Sequence, residues 1–373
     1  MQVGEVREAL SPKPARVLVA ARLGWGRSLG RPELRCLSAT AVSLRGTHAG
    51  SRVDIRVSCR LMRVLVTGAA GFIGSAVVRT LLQSSNDFVT SVVAFDSLVR
   101  TGSWTAIGTD AEAPSLVRVQ GDVRDVAAMR RACLGVDAVV HCAAESSVDA
   151  SFERAPDFQS VNIDGTRAVA EAALAADVTT LIHFSTDEVY GEILTGAASE
   201  TAQLRPTNPY AQSKAESELA LAKVLTCSDV RLIILRPSNN YGPWQVADNL
   251  IPRFVTLLSS GLRAPLYGSG QQRRCWVHVH DTARAVKHLL QDSDAYGVYN
   301  IGGEELTNQT VVQHILDRLG LDWSWIDRVA DRPVHDARYC NDDRRLRSGG
   351  FGRIINFAAE IPAVIDHYRS SLN

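Results

Sequence analysis

The chain has 373 residues, 46% of them hydrophobic and 21% charged, with 40 basic and 40 acidic side chains and a formal net charge of zero. That length holds one large or two medium domains with a sizeable core, and the hydrophobic content excludes intrinsic disorder, which pairs low hydrophobicity with high net charge. Seven cysteines, scattered and without a C-x-x-C pair, exclude a disulfide scaffold, argue against a metal site of the zinc type, and suit a reducing, cytoplasmic compartment.

The neutral total has two unlike parts. Residues 1–61 hold eleven basic groups (Lys13 and ten arginines) against four acids, leaving residues 62–373 with 29 basic and 36 acidic groups. The main body is therefore net −7, which offers no general attraction to nucleic acid. No run approaches about 18 consecutive apolar residues, so no membrane span is expected.

In chain order, residues 1–61 show no steady period of 2 or 3.6. Their apolar runs, Val17-Leu-Val-Ala-Ala and Leu37-Ser-Ala-Thr-Ala-Val, are broken by Arg, Gly and Pro. A secretory signal needs a basic start, one longer apolar run and a cleavage site in that order, and this segment has none of that order. It reads as a disordered extension or as upstream sequence translated from a misplaced start. Its Arg-rich, acid-poor composition also imitates an organelle transit peptide. Met62, directly before the strand-like Arg63-Val-Leu-Val-Thr67, is taken as the working start of the folded protein.

From Met62 onward apolar strand-like runs alternate with helical patterns. This predicts an α/β fold: a Rossmann-like doubly wound parallel sheet with a smaller C-terminal α/β substrate-binding domain. Strands are expected at Val64–Thr67, Val92–Asp96, Leu116–Gly121, Ala138–Ala143, Thr180–Ser185 and Arg231–Arg236. Helices are expected at Ile73–Gln83, Ala127–Cys133, Asn162–Ala176 and Tyr210–Lys223. Near Ser238 the texture changes to Pro/Gly punctuation (Pro243, Pro252, Pro265, Gly268, Gly270), with further strands at Trp276–His280 and Tyr299–Gly302. The dinucleotide-binding domain is placed at 62–237 and the second region at 238–373, with some segments returning to the first.

Thr67-Gly68-Ala-Ala-Gly71-Phe-Ile-Gly74 follows the first strand and opens a helix with the spacing G-x-x-G-x-x-G. Glycine permits the tight turn and the close approach of backbone to a pyrophosphate, and the helix N-terminus presents free N–H groups to that anion. Glycine triplets also serve strand–helix turns for structural reasons alone, so two further features decide. Asp96 ends the next strand 22 residues after Gly74, where a carboxylate accepts both ribose hydroxyls and disfavours a 2′-phosphate. NAD is expected over NADP. Gly121-Asp122-Val123-Arg-Asp125 ends the third strand where an adenine edge would lie, and Asp125 itself reads as a helix N-cap.

Asn208-Pro209-Tyr210-Ala-Gln-Ser-Lys214 contains Y-x-x-x-K. Asn208 caps, Pro209 suits the first helical position, and Tyr210 and Lys214 share one helix face. A phenol is a poor base at neutral pH, and a nearby ammonium together with a positive nicotinamide favours the phenolate. The bland alternative is a surface Tyr/Lys pair; behind a dinucleotide site, catalysis is the better reading. In Thr179-Thr-Leu-Ile-His-Phe-Ser185-Thr186-Asp187-Glu188 a buried strand runs into two adjacent acids at the carboxyl edge of the sheet, where α/β ligands bind. Two confined carboxyls do not ionise equally, so one serves as acid and the other as base. Ser185 or Thr186 is expected to donate to a substrate oxygen, and His141 reads as a structural histidine at the sheet edge.

The segments TGAAGFIG (67–74), HCAAESSVD (141–149), STDEVYG (185–191), NPYAQSK (208–214), RPSNNYGPWQ (236–245), NLIPRF (249–254), YGSGQQRRCWVHVHD (267–281), YNIGG (299–303) and VADRPVHDARY (329–339) follow one another in this order. A chain carrying them resembles the extended short-chain dehydrogenase/reductase family, the NAD-dependent epimerases and dehydratases, and within it the dTDP-glucose 4,6-dehydratases. The resemblance implies NAD, held by Gly68, Gly71, Phe72, Ile73, Gly74, Asp96, Asp122, Val123, Ala143, Tyr210 and Lys214, and no metal. It implies a nucleotide-sugar substrate, dTDP-glucose favoured, with Ser146, Asn240, Arg274, Asn300, Arg332 and His335 along the sugar nucleotide and Leu250, Pro265 and Tyr267 around the base. Guanidinium groups match phosphate geometry, which suits the two arginines. The family's usual assembly is a homodimer.

The same resemblance implies the chemistry. Tyr210 takes the C4 hydroxyl proton as hydride leaves C4; Glu188 takes the C5 proton; Asp187 protonates the departing C6 hydroxyl; hydride then returns to C6. Thr186 holds O4, and Lys214 orients the ribose and lowers the pKa of Tyr210. The product is a 4-keto-6-deoxy sugar. Related epimerases and decarboxylases, the alternative, share the glycine loop and Y-x-x-x-K but typically lack Thr-Asp-Glu; an idle NAD-binding scaffold would be expected to have lost these groups. The chain departs from the family pattern at Ser147 (usually His), Cys275 (usually Asp), Leu98-Val-Arg-Thr-Gly102, and in the last 25 residues, which lack the usual Trp-Pro.

Overall fold

The computed structural model describes residues 61–83, 88–101, 103–108, 115–331 and 336–372. The expectations for residues 1–60, Gly102, Arg332 and His335 lie outside the described residues. In chain order the strands are β1 (Met62–Thr67), β2 (Val89–Asp96), β3 (Leu116–Gln120), β4 (Ala138–His141), β5 (Thr180–Phe184), β6 (Arg231–Pro237), β7 (Asn239–Tyr241), β8 (Ala264–Tyr267), β9 (Arg273–His278), β10 (Gly297–Ile301), β11 (Glu304–Thr307) and β12 (Ile326–Val329). The main helices are α1 (Phe72–Leu82), α2 (Val126–Cys133), α3 (Thr166–Ala175), α4 (Pro209–Val224), α5 (Leu250–Ser259), α6 (Val279–Gln291), α7 (Asn308–Leu319) and α8 (Phe357–Ser370).

The largest sheet is wholly parallel, in the order β10-β6-β5-β4-β1-β2-β3. Its central strands are buried on both faces, which explains why β1 reads as a continuous apolar run and not as an alternation. Val64 and Val66 pack with α1 and α6 on one side, while Leu65 packs with α2, α3 and α4 on the other. The chain order reverses between β1 and β4, and a crevice opens there at the carboxyl edge, as in doubly wound sheets generally.

The residues beyond Pro237 divide their loyalties. β10 returns to the edge of the large sheet beside β6. β7, β9 and β11 form a small mixed sheet, β8 pairs with β12, and α5, α7 and α8 cover them around Tyr241, Phe254, Trp276, Val311 and Phe357. The C-terminal segment that departs from the family pattern thus supplies α8, whose Tyr368 hydroxyl donates to the Gly242 carbonyl at 2.6 Å. Leu61–Asn373 packs as one unit.

Candidate active site

The glycine loop sits where the strand order reverses. Gly68 has a φ of +65°, and a Cβ there would lie 2.6 Å from the Ala143 nitrogen just after β4. A Cβ on Gly74 would collide with the Gly68 carbonyl oxygen. These glycines therefore let the loop pack on itself and on the neighbouring strand, leaving a cradle free of side chains. Gly71 caps α1 with no side-chain hydrogen bond, so the first N–H groups of the helix remain open. Asp96 is buried at the end of β2, and its carboxylate accepts from the Ala70 N–H at 3.0 Å and the Leu98 N–H at 2.8 Å. Phe72, Ile73, Asp122, Val123 and Ala143 join them along one cleft of about 350 Å³ that extends to Tyr210 and Lys214. An uncapped helix end, a glycine cradle and one acid at the ribose position fit a dinucleotide. Asp122 pairs with Arg124 at 2.5 Å, and this hydrogen bond holds its carboxyl below the usual range. Asp125 caps α2, accepting from Ala127 at 2.9 Å and Ala128 at 3.0 Å. His141 is fully buried between Thr67 (2.7 Å) and Thr166 (2.9 Å), a structural role.

Beyond β5 the chain passes through Ser185 and Thr186 into a single tight turn, Asp187–Tyr190, capped by the Thr186 hydroxyl accepting from the Glu188 N–H at 3.3 Å. Asp187 is 4% exposed and its Oδ2 has no hydrogen-bond partner. Burial, and then the charge of Glu188, pushes its pKa up to about 7, with Arg274 and Ser238 acting the other way. Asn208 links the turn to α4. Its side-chain oxygen accepts from the Ala211 N–H at 2.8 Å while its Nδ2 donates to Glu188 Oε2 at 3.0 Å. Tyr210 follows in the first turn of α4, hydrogen-bonded to Thr186. Lys214, one turn on, is buried, and burial lowers it to about 8 against the opposing charges of Glu218 and Cys142. The two carboxyls are thus made unequal: a buried one that keeps its proton near neutrality, and a more open one held by an amide.

A second cleft of about 220 Å³ meets the first at Ser146, Glu188 and Asn240, and Leu250, Pro265, Tyr267 and Arg274 also line it. Arg274 lies 4.3 Å over the Tyr339 ring and donates to the backbone oxygens of Arg273 (2.8 Å) and Asp336 (2.9 Å). Its guanidinium is oriented by carbonyls and an aromatic face, with no carboxylate among these contacts.

The pattern of the NAD dependent epimerase/dehydratase family matches residues 64–302. The chain belongs to that family. It is 42% identical over 309 residues to the dTDP-glucose 4,6-dehydratase of Streptomyces griseus, covering 82% of this chain and 93% of the relative. It is 39% identical over 308 residues to the low-salt glycan biosynthesis protein Agl12 of Haloferax volcanii, covering 82% of this chain and 98% of that one. The crystal structure of DesIV, a dTDP-glucose 4,6-dehydratase from Streptomyces venezuelae with NAD and TYD bound, superposes with a TM-score of 0.80 at 42% identity, covering 83% and 97% of the two chains.

Within this epimerase/dehydratase frame one expectation needs correction. Asn300 does not face the substrate cleft: it is 0% exposed, accepts from the Tyr190 hydroxyl at 2.7 Å and donates to the oxygens of Ala198 (2.9 Å) and Asp342 (3.0 Å). Its place on β10, at the edge of the large sheet, spends both its N–H donors and a bond to its oxygen on the protein. Burial first, then Glu188, hold the Tyr210 phenol well above its ordinary value, with Asp187 adding to this and the Thr186 hydrogen bond acting the other way. Sequence reasoning also missed residues that line the second cleft: Arg253 on α5, Asn308 at the start of α7, Asp336 and Tyr339. Arg253 lay within the quoted NLIPRF segment, and Asp336 and Tyr339 within VADRPVHDARY, so a signal existed for these three; Asn308 reaches the cleft only through the tertiary fold. Two departures have structural partners: Arg100 forms ion pairs with Glu145 (3.0 Å) and Asp248 (3.1 Å), and Ser147 caps a helical turn by accepting from Ala150 at 3.3 Å.

Proposed function

We propose that this chain is an NAD-dependent hydro-lyase that converts dTDP-glucose to the 4-keto-6-deoxy sugar and water. The observation that carries the reading is the unequal pair Asp187–Glu188 where the two clefts meet, with Tyr210 and Lys214 opposite. NAD supplies the hydride acceptor and donor. Tyr210 takes the proton of the C4 hydroxyl, and Thr186 steadies that oxygen. The ketone at C4 acidifies the C5 hydrogen, which Glu188, the more open carboxylate, removes. Asp187 donates its retained proton to the departing C6 oxygen, and water leaves. Glu188 then returns its proton to C5. Lys214 orients the ribose.

In this reading residues 238–373 supply most of the nucleotide-sugar half, with Asn240, Arg274, Arg332 and His335 binding the nucleoside diphosphate and Leu250, Pro265 and Tyr267 around the base, while Ser146 joins the substrate contacts from the first region. The homodimer is the family's usual assembly and is part of the proposal. So is a cytoplasmic setting, which accords with free thiols at five described cysteines. An epimerase has no use for a protonated acid beside the base, which is why the dehydratase reading is preferred. Incubation with dTDP-, UDP-, GDP- and CDP-glucose, followed by product mass, tests it. The expected result is loss of one water from dTDP-glucose without net NADH. A product of unchanged mass, or elimination at the parental rate by Glu188→Gln, refutes it.

A further inference from the structure

Behind the catalytic residues lies a charged cluster that the chemistry above does not use. Glu218 is one turn beyond Lys214 on α4, and both are only 3% exposed. Arg236, at the end of β6 and 2% exposed, grips Glu218 with two hydrogen bonds, Nε to Oε1 at 2.9 Å and Nη2 to Oε2 at 2.5 Å. The remaining nitrogen, Nη1, donates to the Tyr190 hydroxyl at 2.9 Å, and the guanidinium lies 4.9 Å over the Tyr190 ring. Tyr190 closes the turn that begins at Asp187. One ion pair therefore joins the helix bearing Tyr210 and Lys214 to the turn bearing both acids. Buried pairs contribute little net stability compared with well-packed apolar residues, so their presence asks for another role.

We propose that Glu218, fixed in place by Arg236, is a positioning residue whose carboxylate keeps Lys214 an ammonium and in register with the Asp187–Tyr190 turn. The inference rests on the role given to Lys214 above. The groups acting with Lys214 support it. From β4 and β5, His141 and His183 are both held neutral by burial, and the Cys142 thiol is pushed up, also by burial. Tyr210, on the same helix, is kept protonated chiefly by burial. Glu218 is thus the carboxylate whose charge reaches the ammonium, and burial has already lowered Lys214 to about 8. Around Glu218 itself stand Arg236, whose Nη1 also reaches the Glu200 carbonyl at 3.3 Å, and the Tyr190 phenol, which burial pushes up to about 12. Neither supplies a competing negative charge near neutrality.

The test uses the full chain, which has four lysines (Lys13, Lys214, Lys223 and Lys287) and so gives a resolvable spectrum when its lysine ε-carbons are labelled with carbon-13. Glu218→Gln and the apolar double variant Glu218→Met/Arg236→Met are titrated by NMR beside the parent. The expected result is a Lys214 midpoint lowered by about one pH unit or more in both, a tenfold change in ammonium-to-amine ratio. In the dehydration assay the alkaline limb of kcat moves down by the same amount, while KM for the sugar nucleotide changes less than about threefold. The double variant guards against misfolding, because it leaves no buried guanidinium without its carboxylate. A parental Lys214 midpoint in either folded variant overturns the proposal and leaves the pair a packing device. Because the NMR arm needs no turnover, a failure of the dehydratase reading would show separately, as a parent with no dehydration product.

Discussion

Replacing Asp187 by Asn separates the energetic cost of a buried carboxyl from its chemistry. In the fold this group keeps its proton up to about pH 7, against an ordinary value of 3.8. Between those two pH values the unfolded carboxyl is ionised while the folded one is not. The unfolded state then binds fewer protons, so the stability of the parent declines as pH rises through this window. About three pKa units at roughly 1.4 kcal/mol each give a ceiling of ~4 kcal/mol, fully expressed above pH 7 and absent below about pH 4. Asn does not titrate. The stability of Asp187→Asn relative to the parent should therefore climb with pH and then level off. Urea midpoints of the NAD-loaded proteins at about pH 5 and about pH 8.5 measure this directly. The variant should also dehydrate roughly 100- to 10,000-fold more slowly, since no proton is held for the departing oxygen. Parallel stability curves for the two proteins would mean that Asp187 is ionised in the fold, and its assignment as the acid would fall.

Four further outcomes follow from the geometry. Gly74→Ala must displace the Gly68 carbonyl, so it should destabilise by about 1–3 kcal/mol and release NAD, seen as a lower melting temperature and loss of co-purifying cofactor. Arg274→Lys keeps the charge but loses the planar fork and the stacking on Tyr339, so thymidine diphosphate should bind about 10- to 100-fold more weakly by calorimetry. Asn300→Ala strands the Tyr190 hydroxyl and two carbonyls and should cost about 1–3 kcal/mol of stability with KM little changed. Asn308→Ala should do the reverse, raising KM while leaving the melting temperature near the parent's.

The parts of the site legible in sequence are those built from contiguous residues. The glycine loop, Asp96 at a strand end, Thr186-Asp187-Glu188 and Y-x-x-x-K each combine a local conformation with a chemistry, and local conformation is what spacing encodes. The same holds for β1 to β6, whose apolar runs are long enough to announce themselves. The short strands β7, β8, β11 and β12 were not anticipated: three or four residues carry too little period, and their pairing is decided by partners far along the chain. Asn300 and Asn308 make the contrast sharpest. Both stand within one short stretch, and nothing local says which faces ligand. β10 buries the first against Tyr190, Ala198 and Asp342, and the start of α7 brings the second to the cleft.

By itself, then, the sequence determined the doubly wound fold, the dinucleotide loop, the phenol–ammonium pair and the two acids, because each is a short pattern tied to one backbone geometry. Only the tertiary structure decided which acid keeps its proton, which asparagine lines the cleft, and that Arg236 and Glu218 bind the two candidate catalytic segments together. Burial and charge proximity set those properties, and both are sums over residues that are distant in sequence and meet only in the folded chain.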